Sequence, residues 1–177
     1  MTKEYKADAM GRNKRAYRLI KNSEVIKVGD WIVDESTGMA NADGTSELIA
    51  GFATAIVTID KRSLEALSVV TGDLGGTWAA STKSYTAASD NETVDGVMVE
   101  YVPAREGDQF IGTLDADKGT TTGSNKAGYW ISVLTTDSSL LDESSAAASA
   151  TQFRIVDAYN QGSDTEIIVE VVIRGNE

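Results

Sequence analysis

One pattern constrains this chain more than any other: a glycine-aspartate pair, followed by a short apolar strand with an aromatic in it, occurs twice. The first copy spans Val28 to Val57 and opens on Gly29-Asp30 before Trp31. The second spans Glu106 to Leu134 and opens on Gly107-Asp108, with Phe110 in the strand that follows. Each passes through a Gly/Asn/Asp/Thr/Ser segment and ends on Ala-Gly-aromatic, at Ala50-Gly51-Phe52 and Ala127-Gly128-Tyr129. Opening and closing glycines are 22 residues apart in the first copy and 21 in the second. Glycine tolerates positive φ and aspartate accepts local backbone hydrogen bonds, so each pair fits a tight turn that launches a strand. The repetition predicts one β-unit used twice.

Other segments extend the β pattern. Ala55, Val57 and Ile59 alternate with Thr54, Ile56 and Thr58, and Gly51 marks a bulge or a close approach of backbones. Gly96–Val102 reads as a strand ended by Pro103, the only proline. Phe153–Tyr159 and Thr165–Arg174 are the clearest strands, joined through the glycine-containing loop 160–164 as a hairpin. Asp60–Val70 suits either a short helix capped by Asp60 or a strand pair. The Ala-rich segment 137–150 predicts a second short helix. Many short strands with turn signals imply an all-β fold, a barrel or a sandwich. The expected organisation is a basic N-terminal arm over 1–18 and a β body over 19–177. Within the body, a first unit covers about 19–70, an irregular stretch 71–95, and a second unit about 96–177. Short strands are expected around Trp78 and Tyr85, because so long a loop is uncommon in a compact domain.

Composition excludes several chemistries. The 177 residues contain no cysteine and no histidine. A Ser-His-Asp or Cys-His arrangement therefore cannot form within the chain, and cysteine or histidine metal sites are ruled out. Gly119–Lys126 has too few residues between its glycines for a phosphate loop. Asp115-Ala116-Asp117 starts like a calcium loop but has Lys126 where the bidentate glutamate belongs. Asp90, Glu92 and Asp95 read as a solvated acidic turn. A two-carboxylate glycosidase cannot be placed on any named pair among the 27 acids. No enzyme activity, cofactor or metal is expected. No apolar run approaches the roughly 20 residues of a membrane span, and the first twenty residues do not form a signal peptide, so a soluble protein is expected, either intracellular or assembled from intracellular material.

Charge is unevenly spread. The net charge is −11, yet residues 1–27 hold eight of the sixteen cations against three acids. The remaining eight cations face 24 acids. A basic arm on an acidic body points to an acidic partner surface, since the body would repel a phosphate backbone. Neither a membrane nor a specific nucleic acid is expected as partner. Arg12, Lys14, Arg15 and Arg18 are the candidate contacts. Removing residues 1–18 is expected to weaken binding while leaving the body folded. Trp78 and Tyr85, in polar surroundings, are candidate surface-contact aromatics, whereas Trp31, Phe52, Phe110, Tyr129, Trp130 and Phe153 read as core.

The sequence Val28-Gly29-Asp30-Trp31-Ile32 and the later Ile49–Ala53 strand resemble the head decoration (capsid cement) proteins of tailed bacteriophages. Gly107–Asp115, Ala127-Gly128-Tyr129, Phe153–Asp157 and the terminal Ile167–Ile173 strand share that layout. The resemblance covers roughly residues 19–177. It implies a structural virion protein on the outer capsid surface, bound to the major capsid protein, often as a homotrimer, and bracing the shell. The alternative is a carbohydrate- or receptor-binding β module of a phage fibre or tail, which would need exposed aromatics.

Overall fold

The structure, a computed structural model, describes residues 15–43, 48–67, 74–92, 96–116, 127–145, 152–157 and 165–172. These residues are organised as an all-β protein with fourteen strands. The strands are β1 (Ala16–Leu19), β2 (Val25–Lys27), β3 (Trp31–Asp34), β4 (Met39–Asn41), β5 (Ile49–Val57), β6 (Thr77–Ala79) and β7 (Ser84–Thr86). They continue as β8 (Met98–Pro103), β9 (Gln109–Thr113), β10 (Trp130–Ile131), β11 (Val133–Leu134), β12 (Asp137–Leu141), β13 (Phe153–Asp157) and β14 (Glu166–Val171). A single-turn helix, α1 (Leu64–Leu67), and a 3-10 turn at Glu143–Ser145 complete the elements.

Two compact units form: an N-terminal one from residues 15–41 and 50–103, and a C-terminal one built chiefly from 104–172. In the N-terminal unit a five-stranded sheet has the order β1-β8-β5-β3-β4. Beyond β1, Ile20 bridges Met39 of β4, so the two edges of this sheet meet. Lys21 N donates to Met39 O at 3.0 Å to close the seam. A second sheet, β2-β7-β6, shares the core, in which Ile26, Trp78 and Tyr85 meet Ile32, Met39, Ile56 and Val99. The arrangement is sandwich-like: each sheet turns one apolar face inward.

The stretch 71–95, irregular by sequence, thus supplies the β6–β7 hairpin, with Trp78 paired to Tyr85. It is tied to the first strands through polar side chains. Asn91, fully buried, donates from Nδ2 to Ile20 O (2.6 Å) and Val97 O (3.0 Å) and accepts from Val97 N (2.8 Å). Asn22 and Glu92 exchange side-chain to backbone bonds at 2.9 and 2.8 Å.

The C-terminal unit is built on an antiparallel sheet, β10-β13-β14-β9. Strict alternation in β14 buries Ile167, Val169 and Val171 on one face, with Phe110, Ile131, Phe153 and Ile155 beside them. The β11–β12 ribbon brings Leu141 against this face at Gly112, where a Cβ would lie inside van der Waals contact of the Leu141 side chain.

Three sequence expectations change. The segment expected to form a second helix begins with β12, and only Glu143–Ser145 takes a helical turn; residues 146–151 lie outside the described set. Ser138 and Leu141 are buried within this strand, so the Ser/Leu run serves the ribbon. The last residues of the expected arm, Ala16–Arg18, belong to strand β1, which pairs with β8. Finally, Gly51 and Gly128 are not equivalent. Gly51 sits inside β5, where an added Cβ would fall 2.6 Å from Tyr101 Cδ2. Gly128 has φ +88 and belongs to a turn.

Candidate partner-binding surface

Of the cations singled out by sequence, Arg15 and Arg18 are described, and they lie at and just before β1 of the N-terminal sheet. Tyr17 of β1 lies opposite Glu100 of β8, so both side chains share a face, with Arg15 two residues back on the same side. The Glu100 carboxylate is one-tenth exposed and pairs with the Arg15 guanidinium, which is 60% exposed. It also accepts the Tyr17 hydroxyl at 2.9 Å. Thr54 Oγ1, at the irregularity of β5 between Ala53 and Ala55, lies 3.0 Å from the same carboxylate. Hydrogen bonding to Glu100, then burial, then the carboxylate's charge all push the Tyr17 phenol above its ordinary 10.0, against a smaller opposite effect of Arg15.

Arg18 points the other way. It pairs with Asp34 (2.9 Å) and donates to Glu35 O (3.1 Å), while Lys21 pairs with Glu35 at 2.6 Å. Arg15 and Arg18 therefore fasten β1 to the body. Arg12 and Lys14 lie outside the described residues.

A neighbouring element, absent from the sequence-based candidates, completes the surface. After β5 the chain reverses through Ile59-Asp60-Lys61, closed by Lys61 N to Thr58 O (2.8 Å) and Thr58 N to Arg62 O (2.9 Å). Lys61 adopts φ +64 and places its ammonium 4.7 Å from the centroid of the Tyr17 ring. That cation–π contact joins the turn to the strand where the basic segment enters the fold. In the same segment Ile59 is 45% exposed and Leu67 of α1 is 38% exposed, while Leu64 is buried as the anchor. Arg62 pairs with Asp60 (3.1 Å) and Lys83 with Glu65 (2.8 Å), all four side chains more than half exposed. Such exposed pairs contribute about 0–1 kcal/mol and exchange readily for carboxylates on a partner. The segment Ile59–Leu67 therefore carries two exposed apolar side chains together with exposed, exchangeable ion pairs.

The other sequence candidates are structural. Trp78 is 8% exposed and Tyr85 1%, both within the core of the N-terminal unit. Their polar sequence neighbours are more exposed on a hairpin whose aromatics turn inward, and that polar surrounding is what suggests a surface role in the sequence. The Tyr85 hydroxyl donates to Leu74 O at 3.0 Å, and burial pushes its phenol up. Gly29, Asp30, Gly107 and Asp108 form turns with the same hydrogen bonds. Asp30 Oδ2 accepts from Lys27 N (2.6 Å) and Asp30 N donates to Lys27 O (3.0 Å). Asp108 Oδ2 accepts from Arg105 N (2.9 Å) and Asp108 N donates to Arg105 O (3.0 Å).

Among the described residues, no group of three or more acidic side chains is placed to hold a metal ion, and no helix is long and apolar enough to cross a membrane. Of the acidic residues tested by sequence, Glu92 is bonded to Asn22 N, and Asp115 Oδ1 accepts from Glu143 N at 2.8 Å. Comparison with protein-family models, with curated proteins and with solved structures finds no match.

Proposed function

We propose that this chain is a non-enzymatic structural protein of a phage-like virion. It binds the outside of the capsid through its basic end and stabilises the shell. The observation that supports this reading most is the junction at Tyr17. There the entry point of the basic segment is held beside an exposed, apolar and cationic turn, in a chain of net charge −11. Such a surface suits an acidic patch on the major capsid protein, and the acidic remainder keeps decorated particles apart. Many copies on one shell add avidity to individually weak contacts. The protein is made in the host cytoplasm and resides on the virion exterior.

The informative truncation ends at residue 14. A cut at residue 18 would remove most of β1 and the Arg15–Glu100 and Arg18–Asp34 pairs, so it would report on folding. Co-sedimentation with purified shells should show fixed-stoichiometry binding of the full chain and strongly reduced occupancy for the chain lacking residues 1–14. Failure of the full chain to bind shells, or unchanged occupancy after truncation, would count against the reading.

A further inference from the structure

The outward face of the C-terminal sheet carries a row of four side chains in cross-strand register. Trp130 lies opposite Arg154, Arg154 opposite Glu170, and Glu170 opposite Gln109. Directly paired residues of antiparallel strands share a face, so all four project together, away from the buried Phe153, Val169 and Val171. Arg154 and Gln109 are exposed; Trp130 and Glu170 are half-buried. One row further on, Ile168 lies opposite Ile111, both half-buried on the same face.

The order of this row is complementary to its own reverse. A two-fold axis running along the strands between β13 and β14, in the plane between two apposed sheets, reverses the row. Arg154 of one copy then faces Glu170 of the other, and Trp130 faces Gln109, twice over. An isologous contact requires this self-complementarity. We infer that the chain self-associates as a two-fold dimer through the outward face of β10-β13-β14-β9, with a second copy of itself as occupant. The inference is independent of capsid binding, and it departs from the homotrimer that the resemblance implies.

Four strands at about 4.8 Å spacing and five residues at about 3.3 Å give a face of roughly 19 by 16 Å. That is well below the ~800 Å² per partner of a standard stable interface. The dimer is therefore weak and concentration-dependent, in the micromolar range or above.

Sedimentation velocity of the full chain over a wide loading range tests this. The wild type is expected to pass from monomer to dimer as concentration rises. Arg154→Glu and Glu170→Arg should each weaken the dimer at least ~10-fold, because like charges then face each other across the axis. The combined swap should restore it. Circular dichroism of each variant separates loss of association from loss of fold; should a charge variant misfold, Trp130→Ser serves as the second probe and should also weaken the dimer. A wild type that stays monomeric throughout, a trimer in place of a dimer, or a folded double swap that remains monomeric would overturn the inference.

Discussion

The two glycine-aspartate turns make the same local bonds and serve differently buried parts of the protein. In the N-terminal unit Gly29 N donates to Ala53 O, and Ala53 N donates to Asp30 O, both at 2.9 Å. In the C-terminal unit Gly107 N donates to Val171 O (3.1 Å), and Val171 N donates to Asp108 O (3.0 Å). Each turn thus clamps a single residue of the strand beside the one it launches, β5 for β3 and β14 for β9. Yet Asp30 is only 2% exposed, whereas Asp108 is half-buried. A turn motif fixes the local path of the chain; burial decides how much stability depends on it.

A third turn widens the comparison. Gly128 N donates to Ile155 O (2.8 Å) and Ile155 N to Tyr129 O (2.7 Å), the same clamp with tyrosine in place of aspartate. The clamp therefore needs a positive-φ glycine and two backbone groups, and the aspartate adds a bond on the entry side. Gly128 is the counterpart of Gly29 and Gly107, which the sequence spacing had aligned with Gly51.

The largest expected effect lies where the two units differ most. Asn91 has three buried hydrogen bonds to the backbone at Ile20 and Val97. In the C-terminal unit the buried Gln152 plays a comparable part, its Oε1 accepting from Val133 N at 2.8 Å. Asn91→Ala strands the Val97 amide and the Ile20 carbonyl, at about 1–3 kcal/mol each. Denaturant unfolding should show a loss of roughly 3–5 kcal/mol, against about 1–3 for Gln152→Ala. Equal losses would mean the asparagine is not the tie that holds β1 and β8 together.

Next come the turn aspartates. Asp30→Ala leaves the Lys27 amide without its carboxylate in a buried setting and should cost about 2–3 kcal/mol. Asp108→Ala, where water can replace the carboxylate at Arg105 N, should cost about 1 kcal/mol or less. The glycines should erase this difference. Gly29, Gly107 and Gly128 have φ between +84 and +101, and none has an atom within 4 Å of where a Cβ would sit. Alanine at each is penalised by conformation alone, about 1–2 kcal/mol. Unequal costs for the three glycines in thermal unfolding would show that the clamps are not equivalent.

Much of this was legible in the sequence, and the rest was hidden for identifiable reasons. Alternating β-branched residues gave β13 and β14, and Gly-Asp gave two of the three clamps. The third was obscured because nothing local distinguishes Ala127-Gly128-Tyr129 from a glycine inside a strand such as Ala50-Gly51-Phe52. The short strands expected around Trp78 and Tyr85 form, as the β6–β7 hairpin; what the polar stretch hid was that both aromatics turn inward. Strand β1 read as an arm because its cations find their acids far away in sequence, Arg15 at Glu100 and Arg18 at Asp34. Long-range ion pairs leave no periodic trace. The turn at Ile59–Arg62 lay at the start of a segment that read as either a capped helix or a strand pair, and the contact of Lys61 with the Tyr17 ring leaves no local sequence signal.

The smallest expected effect concerns that junction and has a pH signature. Tyr17 donates to Glu100 only while the phenol is neutral, and this bond holds its pKa above the ordinary 10.0. A folded pKa raised above the unfolded one gives stability that is complete below pH 10.0 and lost as pH rises through the folded value. Tyr85 and Tyr101 are also raised, mainly by burial, so the wild type should lose stability above that pH for three reasons. Tyr17→Phe keeps a ring beneath Lys61 and removes one of them. Its deficit relative to wild type, read as the midpoint of thermal unfolding, should be small near neutral pH and shrink once the pH passes 10.0. A deficit that stays constant through that range would show that the Tyr17 hydroxyl does not help to hold β1 at Glu100. The side-chain hold on β1 at this point would then come from the Arg15–Glu100 pair and the Lys61 contact, beside the β1–β8 backbone pairing.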